Sequence, residues 1–401
     1  MDHARHITLP AGFVAGAVHC GLKSTEREDL AIIAAADGPV PAAIVTTTNQ
    51  VVGAPVRWCR SALPRGYGRI RGVVVNAGNS NVCNGKRGDR DAAAMAALTA
   101  TALGAAPEQV LVCSTGIIGH PMPMDRVRKG IADATERLST REDGAVADAI
   151  MTTDTHPKSA VVQGRIGSKL VTVAGITKGA GMIAPSLATM LGFITTDVKI
   201  SPAALGRALK TAVEPTFNAV TIDSDTSTSD TVIALASGAA GNATITGGTD
   251  LAKFVKLLTE VCGALAEMIA RDGEGATKLL RVTVRGARTA ADARTAAKAI
   301  ANSPMTKCAV HGGDPNWGRV LMAAGKSGAT IDQDRATCKI GPVTVMRRGT
   351  SRPYDAAAAE AHMTGDTVEI DLNLNLGQGR YTALTCDLSR EYVSINADYH
   401  T

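Results

Sequence analysis

The sequence predicts a layered α/β (α+β) fold in which β-sheets pack against α-helices. Short runs rich in Val and Ile alternate with Ala-rich segments of helical periodicity. The chain has 401 residues, which is enough for a large buried core in two or three domains. Apolar residues make up 45% of the chain but aromatic residues 3%, which favours tightly packed layers over stacking surfaces.

The first half of the chain alternates predicted strands with predicted helices. GVVVNAGN (72–79) has the continuous apolar run of a buried strand, and the next segment, 89–104, predicts a helix. Residues 108–119 return to an extended run that ends in a glycine-bearing turn, and residues 124–138 predict a second helix. Two further strands, joined by a turn between glycines, are predicted within 159–176.

The second half contains two capped helices and then a new series of strands. Ser201 is placed to cap one helix, and Thr249 or Asp250 to cap a long one that ends near Arg271. From Leu279 the strand pattern begins again. We therefore expect two domains, a larger layered one over 1–278 and a smaller α/β one over 279–401.

Composition excludes several classes of function. The net charge is +5, and Lys and Arg are scattered rather than clustered, so nucleic acid is not an expected partner. The eight cysteines lack any C-x-x-C spacing, and we expect them to be reduced thiols in the core. The sequence shows neither a signal peptide nor a stretch of membrane-spanning length, which predicts a cytoplasmic protein with no membrane partner.

The sequence predicts neither a metal site nor a nucleotide site. Asp223, Asp225 and Asp230 suggest calcium, but an EF-hand loop needs Gly at its sixth position and an acidic residue at its twelfth. Counting from Asp223, these positions hold Thr228 and Ala234. The glycines of KGAGM form neither of the common phosphate-binding motifs.

The stretch KGAGMIAPSLATML (178–191) places Thr189 in an apolar segment. Taken alone, this is typical of a buried threonine whose hydroxyl bonds a backbone carbonyl. The other interpretation is catalytic, because a threonine hydroxyl becomes nucleophilic when the α-amine of the same residue takes its proton. That amine exists only after the bond to Ala188 is cut, and it titrates at roughly pH 7.7 to 8.0. The small Ala188 leaves its carbonyl open to attack.

Several motifs in a fixed order give the chain a family resemblance. They are GFVAGAVHCGLK, VVVNAGNSNVCNG, CSTGIIG, IMTTDTHPK, KGAGMIAPSLATML, FNAVTIDSDTSTSDTV, DGEGATKL, HGGDPNWGRV and YVSINADYHT. By these motifs, which span nearly the whole chain, it resembles the ornithine acetyltransferases of arginine biosynthesis, the ArgJ family (glutamate N-acetyltransferases).

The resemblance implies a role for individual residues. It implies self-cleavage between Ala188 and Thr189, after which Thr189 is the acetyl-carrying nucleophile. Thr115 and Gly116 would stabilise the oxyanion, a plausible pairing because acetyl transfer passes through a tetrahedral intermediate. The implied substrate-binding residues are Thr189 itself, Lys178, Glu274, Asn396, Thr401 and either Thr152 or Thr153. Our hypothesis is that Lys178 meets the substrate α-carboxylate and Glu274 the ornithine side-chain ammonium.

The resemblance also implies the reaction and the architecture. The enzyme would move the acetyl group from N2-acetylornithine to glutamate without a cofactor, and whether acetyl-CoA also serves as donor stays open. Stacked β-sheets would lie between helical layers (DmpA/ArgJ-like), with the tail of the smaller C-terminal α/β domain returning to the active site. The two cleaved chains would stay associated, as a heterotetramer of two pairs.

Two other functions remain open on the sequence alone. An amidase or aminopeptidase with the same N-terminal nucleophile would pass the acyl group to water, and would release free acetate from an acetylated substrate. A binding protein would stay uncleaved, with Thr189 as a core residue.

Overall fold

The structure is a computed structural model and describes residues 6–184 and 190–398. These residues form three β-sheets with helices packed on them. The first two sheets contain β1 (Phe13–Val18), β2 (Leu30–Ala35), β3 (Val40–Thr46), β4 (Tyr67–Ile70), β5 (Gly72–Asn79), β6 (Val110–Ile117), β7 (Lys158–Ile166), β8 (Lys169–Lys178), β9 (Leu191–Thr196) and β10 (Thr231–Ala236). The third sheet contains β11 (Leu279–Ala287), β12 (Thr337–Ile340), β13 (Val343–Arg347), β14 (Thr350–Ser351), β15 (Thr367–Asn373) and β16 (Gly379–Cys386).

The helices connect and cover these sheets. They are α1 (Ala54–Ala62), α2 (Gly85–Leu103), α3 (Met124–Glu136), α4 (Asp143–Ala149), α5 (Pro202–Val213), α6 (Gly248–Arg271), α7 (Ala290–Ala301), α8 (Pro304–His311), α9 (Trp317–Gly325), α10 (Ala356–Met363) and α11 (Arg390–Asp398). Within 6–184 and 190–398, none of them has both the length and the apolar character needed to cross a bilayer.

The first two sheets stack face to face. The strand order is β1-β2-β5-β6 in the first sheet and β4-β3-β10-β9-β8-β7 in the second. β5 and β6 run parallel, as do β9 and β10, and the other neighbouring strands are antiparallel. Val75 and Leu111 of the first sheet share one buried cluster with Ile176 and Phe193 of the second. The interior between the sheets is thus filled mostly by aliphatic side chains, as the composition predicts.

Helices cover the outer faces of this pair of sheets. On the first sheet, α2 and α3 bury Met95 and Ile131 against Ile32. On the second sheet, α6 buries Phe254 in a cluster that includes Ile194. The predicted sandwich of stacked sheets between helical layers is therefore confirmed.

The third sheet begins at Leu279, where the strand pattern restarts. Its order is β14-β13-β12-β15-β11-β16, and Val282 on β11 packs with Ile300 on α7 and Val320 on α9. Leu279 and Leu384 instead join the cluster that contains Phe254 of α6. The third sheet therefore packs directly on the helical layer of the second sheet.

Of the two predicted helix caps, one is found and one is wrong. Ser201 caps α5, since its side chain accepts a backbone N–H from the first turn. The helix α6 begins at Gly248, which has φ of 68°, so neither Thr249 nor Asp250 is its cap. The glycine conformation starts the helix earlier than predicted. Asp250 then lies in the first turn, where a carboxylate interacts favourably with the helix dipole.

The cysteines are free thiols, but not all of them lie in the core. Five of the eight are buried, and Cys20 is half-buried. Cys83 and Cys308 are exposed, so the predicted core position is wrong for both. Cys83 lies in the turn between β5 and α2 with φ of 61°, and Cys308 lies on α8 between the buried residues Lys307 and Ala309.

Candidate active site

A cavity of about 170 Å³ lies where β6 and β8 end, beside several loops and α11. Ten of its fourteen lining residues have polar side chains, and they come from segments far apart in the sequence. The lining residues are Ser80, Thr115, Gly116, Ile118, Thr152, Thr153, Lys178, Gly181, Met182, Ser227, Thr228, Ser229, Glu274 and Asn396.

Most residues predicted for the site line this one cavity. They are Thr115, Gly116, Thr152, Thr153, Lys178, Glu274 and Asn396. The predicted cleavage residues Ala188 and Thr189, and the predicted substrate ligand Thr401, lie outside the described residues. Met190, the residue after Thr189, is buried and leads directly into β9.

Gly116 lets the end of β6 approach β5 closely. Thr115 and Gly116 lie opposite Ala77 and Gly78 of that strand. Gly116 has φ of 124°, and a Cβ at this position would lie 2.4 Å from the carbonyl carbon of Gly78. Glycine is required there for both reasons. The close approach fixes the backbone that carries Thr115, whose side chain is buried at the cavity wall.

Lys178, the last residue of β8, directs its ammonium group at Thr115. Its Nζ lies 3.4 Å from Thr115 Oγ1, and both side chains are buried. An ammonium group can only donate, so the threonine oxygen accepts and its own hydrogen remains for another acceptor. Burial lowers the pKa of Lys178, although the Asp154 carboxylate raises it.

A second buried lysine, Lys158, lies outside the cavity lining and holds three of its segments together. Its Nζ donates to Asp154 Oδ1 at 2.7 Å and to Asp272 Oδ2 at 2.5 Å. Asp154 also accepts the backbone N–H groups of Thr152, at 3.0 Å, and of Gly179, at 2.6 Å. The loop with Thr152, the end of β8 and the C-terminus of α6 therefore meet at one charge cluster.

The charges in this cluster balance one another. Burial alone would raise the pKa of the Asp154 carboxyl, but the ammonium groups of Lys178 and Lys158 lower it to about 2. Asp154 is thus a carboxylate at any physiological pH. Within 4 Å it pairs with Lys158 and not with Lys178, so the Lys178 ammonium stays at Thr115.

Glu274 and Asn396, which also line the cavity, are hydrogen-bonded to each other. The Asn396 amide donates to Glu274 Oε2 at 2.8 Å, and the Glu274 N–H donates to the carbonyl of Ala180 at 2.8 Å. Gly181 makes room for this carboxylate, because a Cβ there would lie 2.4 Å from the Glu274 carboxyl atoms. The helix α11 therefore contributes a side chain to the site.

Asp223, which the sequence suggests as a calcium ligand, instead holds the loop after β8 through hydrogen bonds. Its carboxylate accepts the backbone N–H groups of Met182, at 2.5 Å, and of Ile183, at 2.8 Å. Throughout 6–184 and 190–398, no group of three or more His, Cys, Asp or Glu side chains could hold a metal ion.

The comparisons with known proteins point to one family. The ArgJ family model matches residues 14–401. The chain is 46% identical over 398 residues to the arginine biosynthesis bifunctional protein ArgJ of Symbiobacterium thermophilum, with 98% of each chain covered. It is 46% identical over 395 residues to that of Geobacter sulfurreducens, covering 97% of this chain and 99% of that protein. A crystal structure of ArgJ from Bacillus halodurans is 42% identical with a TM-score of 0.50, and covers 51% of this chain and 97% of its own.

We expect Lys158→Met to lower the free energy of unfolding by about 3–5 kcal/mol, because it leaves two buried carboxylates without their shared partner. The matched control is Lys253→Met, which removes a half-exposed lysine that lies 3.7 Å from Asp250 on α6. The control should change stability by less than about 1 kcal/mol. Urea unfolding of both variants measures the difference, and equal effects would contradict the structural role of Lys158.

Proposed function

Because the chain belongs to the ArgJ family and is therefore an ornithine acetyltransferase of arginine biosynthesis, we propose that the cavity described above is its active site, with Thr189 as nucleophile. The observation that carries this proposal is the convergence of Thr115, Gly116, Lys178, Glu274 and Asn396 on one cavity. These residues come from the first sheet, the second sheet, the connection to the third sheet and α11. Their meeting is not required by packing alone.

The first half-reaction forms an acetyl ester on Thr189. The Thr189 hydroxyl attacks the acetyl carbonyl of N2-acetylornithine, and its proton passes to the free α-amine of the same residue. The tetrahedral oxyanion accepts hydrogen bonds from the Thr115 hydroxyl and the Gly116 N–H. Because Lys178 already donates to Thr115 Oγ1, the hydroxyl hydrogen is available for the oxyanion. The α-amine then protonates the leaving amine of ornithine as the carbon–nitrogen bond breaks.

The charges around the cavity suit both ends of ornithine. The acetylated nitrogen and the α-carboxylate share one carbon atom, so a substrate with its acetyl group at Thr115 brings the carboxylate towards Lys178. Glu274 meets the side-chain ammonium, and Asn396 holds the Glu274 carboxylate in place through the 2.8 Å hydrogen bond. Thr152 or Thr153, and Thr401, complete the binding of the substrate.

In the second half-reaction, the amine of glutamate attacks the carbonyl carbon of the threonine ester. The carbon–oxygen bond to Thr189 breaks, the proton of the attacking amine passes through the α-amine to the Thr189 oxygen, and N-acetylglutamate leaves. We further propose acetyl-CoA as a second acetyl donor. The relatives from Symbiobacterium and Geobacter are named arginine biosynthesis bifunctional proteins, which supports a second activity. Neither donor requires a metal or cofactor in this scheme, since protein groups supply the base and the oxyanion donors.

Cleavage before Thr189 would leave two chains of similar length. The Bacillus halodurans chain supports this, because 97% of it matches only 51% of the present chain. We propose that the two chains stay associated and pair into a heterotetramer in the cytoplasm. We also propose that 1–278, which contains the cut, and 279–401, whose α11 reaches the site, are the two domains.

Product analysis tests the proposed reaction against hydrolysis by the same nucleophile. Purified enzyme is incubated with N2-acetylornithine, with and without glutamate, and ornithine, N-acetylglutamate and acetate are quantified. We expect ornithine and N-acetylglutamate in equal amounts when glutamate is present. Acetate as the main product in the presence of glutamate would instead identify an amidase.

We expect Glu274→Gln to raise the KM for N2-acetylornithine about 10-fold to 100-fold, because a charge-assisted hydrogen bond to the ornithine ammonium is worth about 1.5–3 kcal/mol. Gln keeps the size of the side chain and can still accept from Asn396. Glu260→Gln, at an exposed position of α6, is the matched control and should leave the KM unchanged. An unchanged KM in Glu274→Gln would exclude this role for Glu274.

A further inference from the structure

Self-cleavage needs a base that the mature enzyme does not need. After cleavage, the α-amine of Thr189 can accept the hydroxyl proton. Before cleavage, the same nitrogen belongs to the Ala188–Thr189 peptide bond, where resonance removes its basicity. Another group must therefore take the proton when the Thr189 hydroxyl first attacks the carbonyl of Ala188.

Asp230 is a buried carboxyl group next to Met190, the second residue after the predicted cut. It is 1% exposed and precedes β10, which runs parallel to β9. Its Oδ1 accepts the backbone N–H of Met190 at 3.0 Å. The Met190 nitrogen is covalently bonded to the carbonyl carbon of Thr189. The α-nitrogen of Thr189 is three covalent bonds from the Met190 nitrogen, and the hydroxyl oxygen is four.

The backbone on both sides fixes the position of Asp230. The N–H of Thr47 donates to the Asp230 carbonyl at 2.9 Å, and the N–H of Thr231 donates to the Met190 carbonyl at 3.2 Å. Asp230 and Met190 therefore start two adjacent strands in a fixed register, with Thr231 paired to Leu191. Hydrogen bonds between three segments, at the end of β3 and at the starts of β9 and β10, therefore fix the position of this carboxyl group.

Within the described part of the chain, only Oδ1 of the two Asp230 carboxyl oxygens makes a hydrogen bond of standard geometry. Oδ2 is buried and makes no hydrogen bond with any of residues 6–184 and 190–398. A buried carboxyl with one idle oxygen is costly, so packing alone does not account for it. Burial also raises the pKa of Asp230 well above its usual range, although the Met190 N–H, the Lys178 charge and the Ser227 hydroxyl lower it. A carboxylate of raised basicity is a suitable proton acceptor.

We propose that Asp230 carries the proton during self-cleavage, an inference that rests on the proposed role of Thr189. The Asp230 carboxylate takes the proton of the Thr189 hydroxyl as its oxygen bonds to the carbonyl carbon of Ala188. The carbon–nitrogen bond then breaks, and Asp230 returns the proton to the leaving nitrogen, which becomes the free α-amine. Water hydrolyses the resulting ester, which releases the Ala188 carboxylate and restores the threonine hydroxyl.

Other buried carboxylates of the site are already occupied. Asp154 accepts from Lys158 and from the N–H of Gly179. Asp272 accepts from Lys158 and from the N–H of Thr155. Glu274 is bonded to Asn396 and is proposed to bind substrate. Asp230 differs from these in its contact with Met190, the residue that directly follows Thr189.

The test is the Asp230→Asn variant, because Asn can still accept the Met190 N–H but cannot carry a proton. The variant is purified and its intact mass is followed over time beside wild type and Thr189→Ala, which has no nucleophile. We expect Asp230→Asn to cleave 10²-fold to 10⁴-fold more slowly than wild type, the usual contribution of a general acid–base group. Its thermal unfolding midpoint should match that of uncleaved Thr189→Ala.

The outcomes separate this inference from the proposed function. Cleavage of Asp230→Asn at the wild-type rate would overturn the role of Asp230 while leaving Thr189 as nucleophile. An uncleaved Asp230→Asn that melts well below Thr189→Ala would also overturn it, since Asp230 would then be a structural anchor. An uncleaved wild type would instead refute the proposed function itself.

Discussion

The site depends on one buried ammonium group shared between two buried carboxylates. Lys158 is 0% exposed and lies between Asp154, 4 residues before it in the sequence, and Asp272, 114 residues after it. Each of these charges would be costly to bury alone, so removing any one of them would leave its partners buried without a compensating charge. The cluster therefore connects the loop with Thr152, the end of β8 and the segment that leads to Glu274 through hydrogen bonds and ion pairs. It also satisfies Asp154, which leaves Lys178 in contact with Thr115.

The layered fold divides the chemistry among its sheets. The first sheet supplies Thr115 and Gly116, through a close contact that only glycine permits at position 116. The second sheet supplies Lys178 and the strand that follows Thr189 along the chain. Glu274 comes from the connection between α6 and the third sheet. A substrate bound in the proposed site would thus contact the ends of both stacked sheets.

The sequence predicts the layers and much of the cavity lining, since alternating periodicities and ordered motifs are local signals. It does not predict Lys158 or Asp272 as partners, because a buried ion pair between distant segments leaves no spacing pattern. The cap of α6 is missed for a local reason, since Gly248 starts the helix one residue before Thr249. The sequence shows Asp230 only as one of three neighbouring aspartates, with Asp223 and Asp225. Its contact with Met190 depends on the parallel pairing of β9 and β10, which the sequence does not reveal.

The central claim is that Thr189 becomes an N-terminal nucleophile that carries the acetyl group. A denaturing intact-mass spectrum of the purified protein, before and just after addition of N2-acetylornithine, tests it most directly. The account predicts two fragments that meet between Ala188 and Thr189, with one acetyl group added to the C-terminal fragment after the addition. A single intact chain that gains no acetyl group would contradict the account and return Thr189 to a purely structural role.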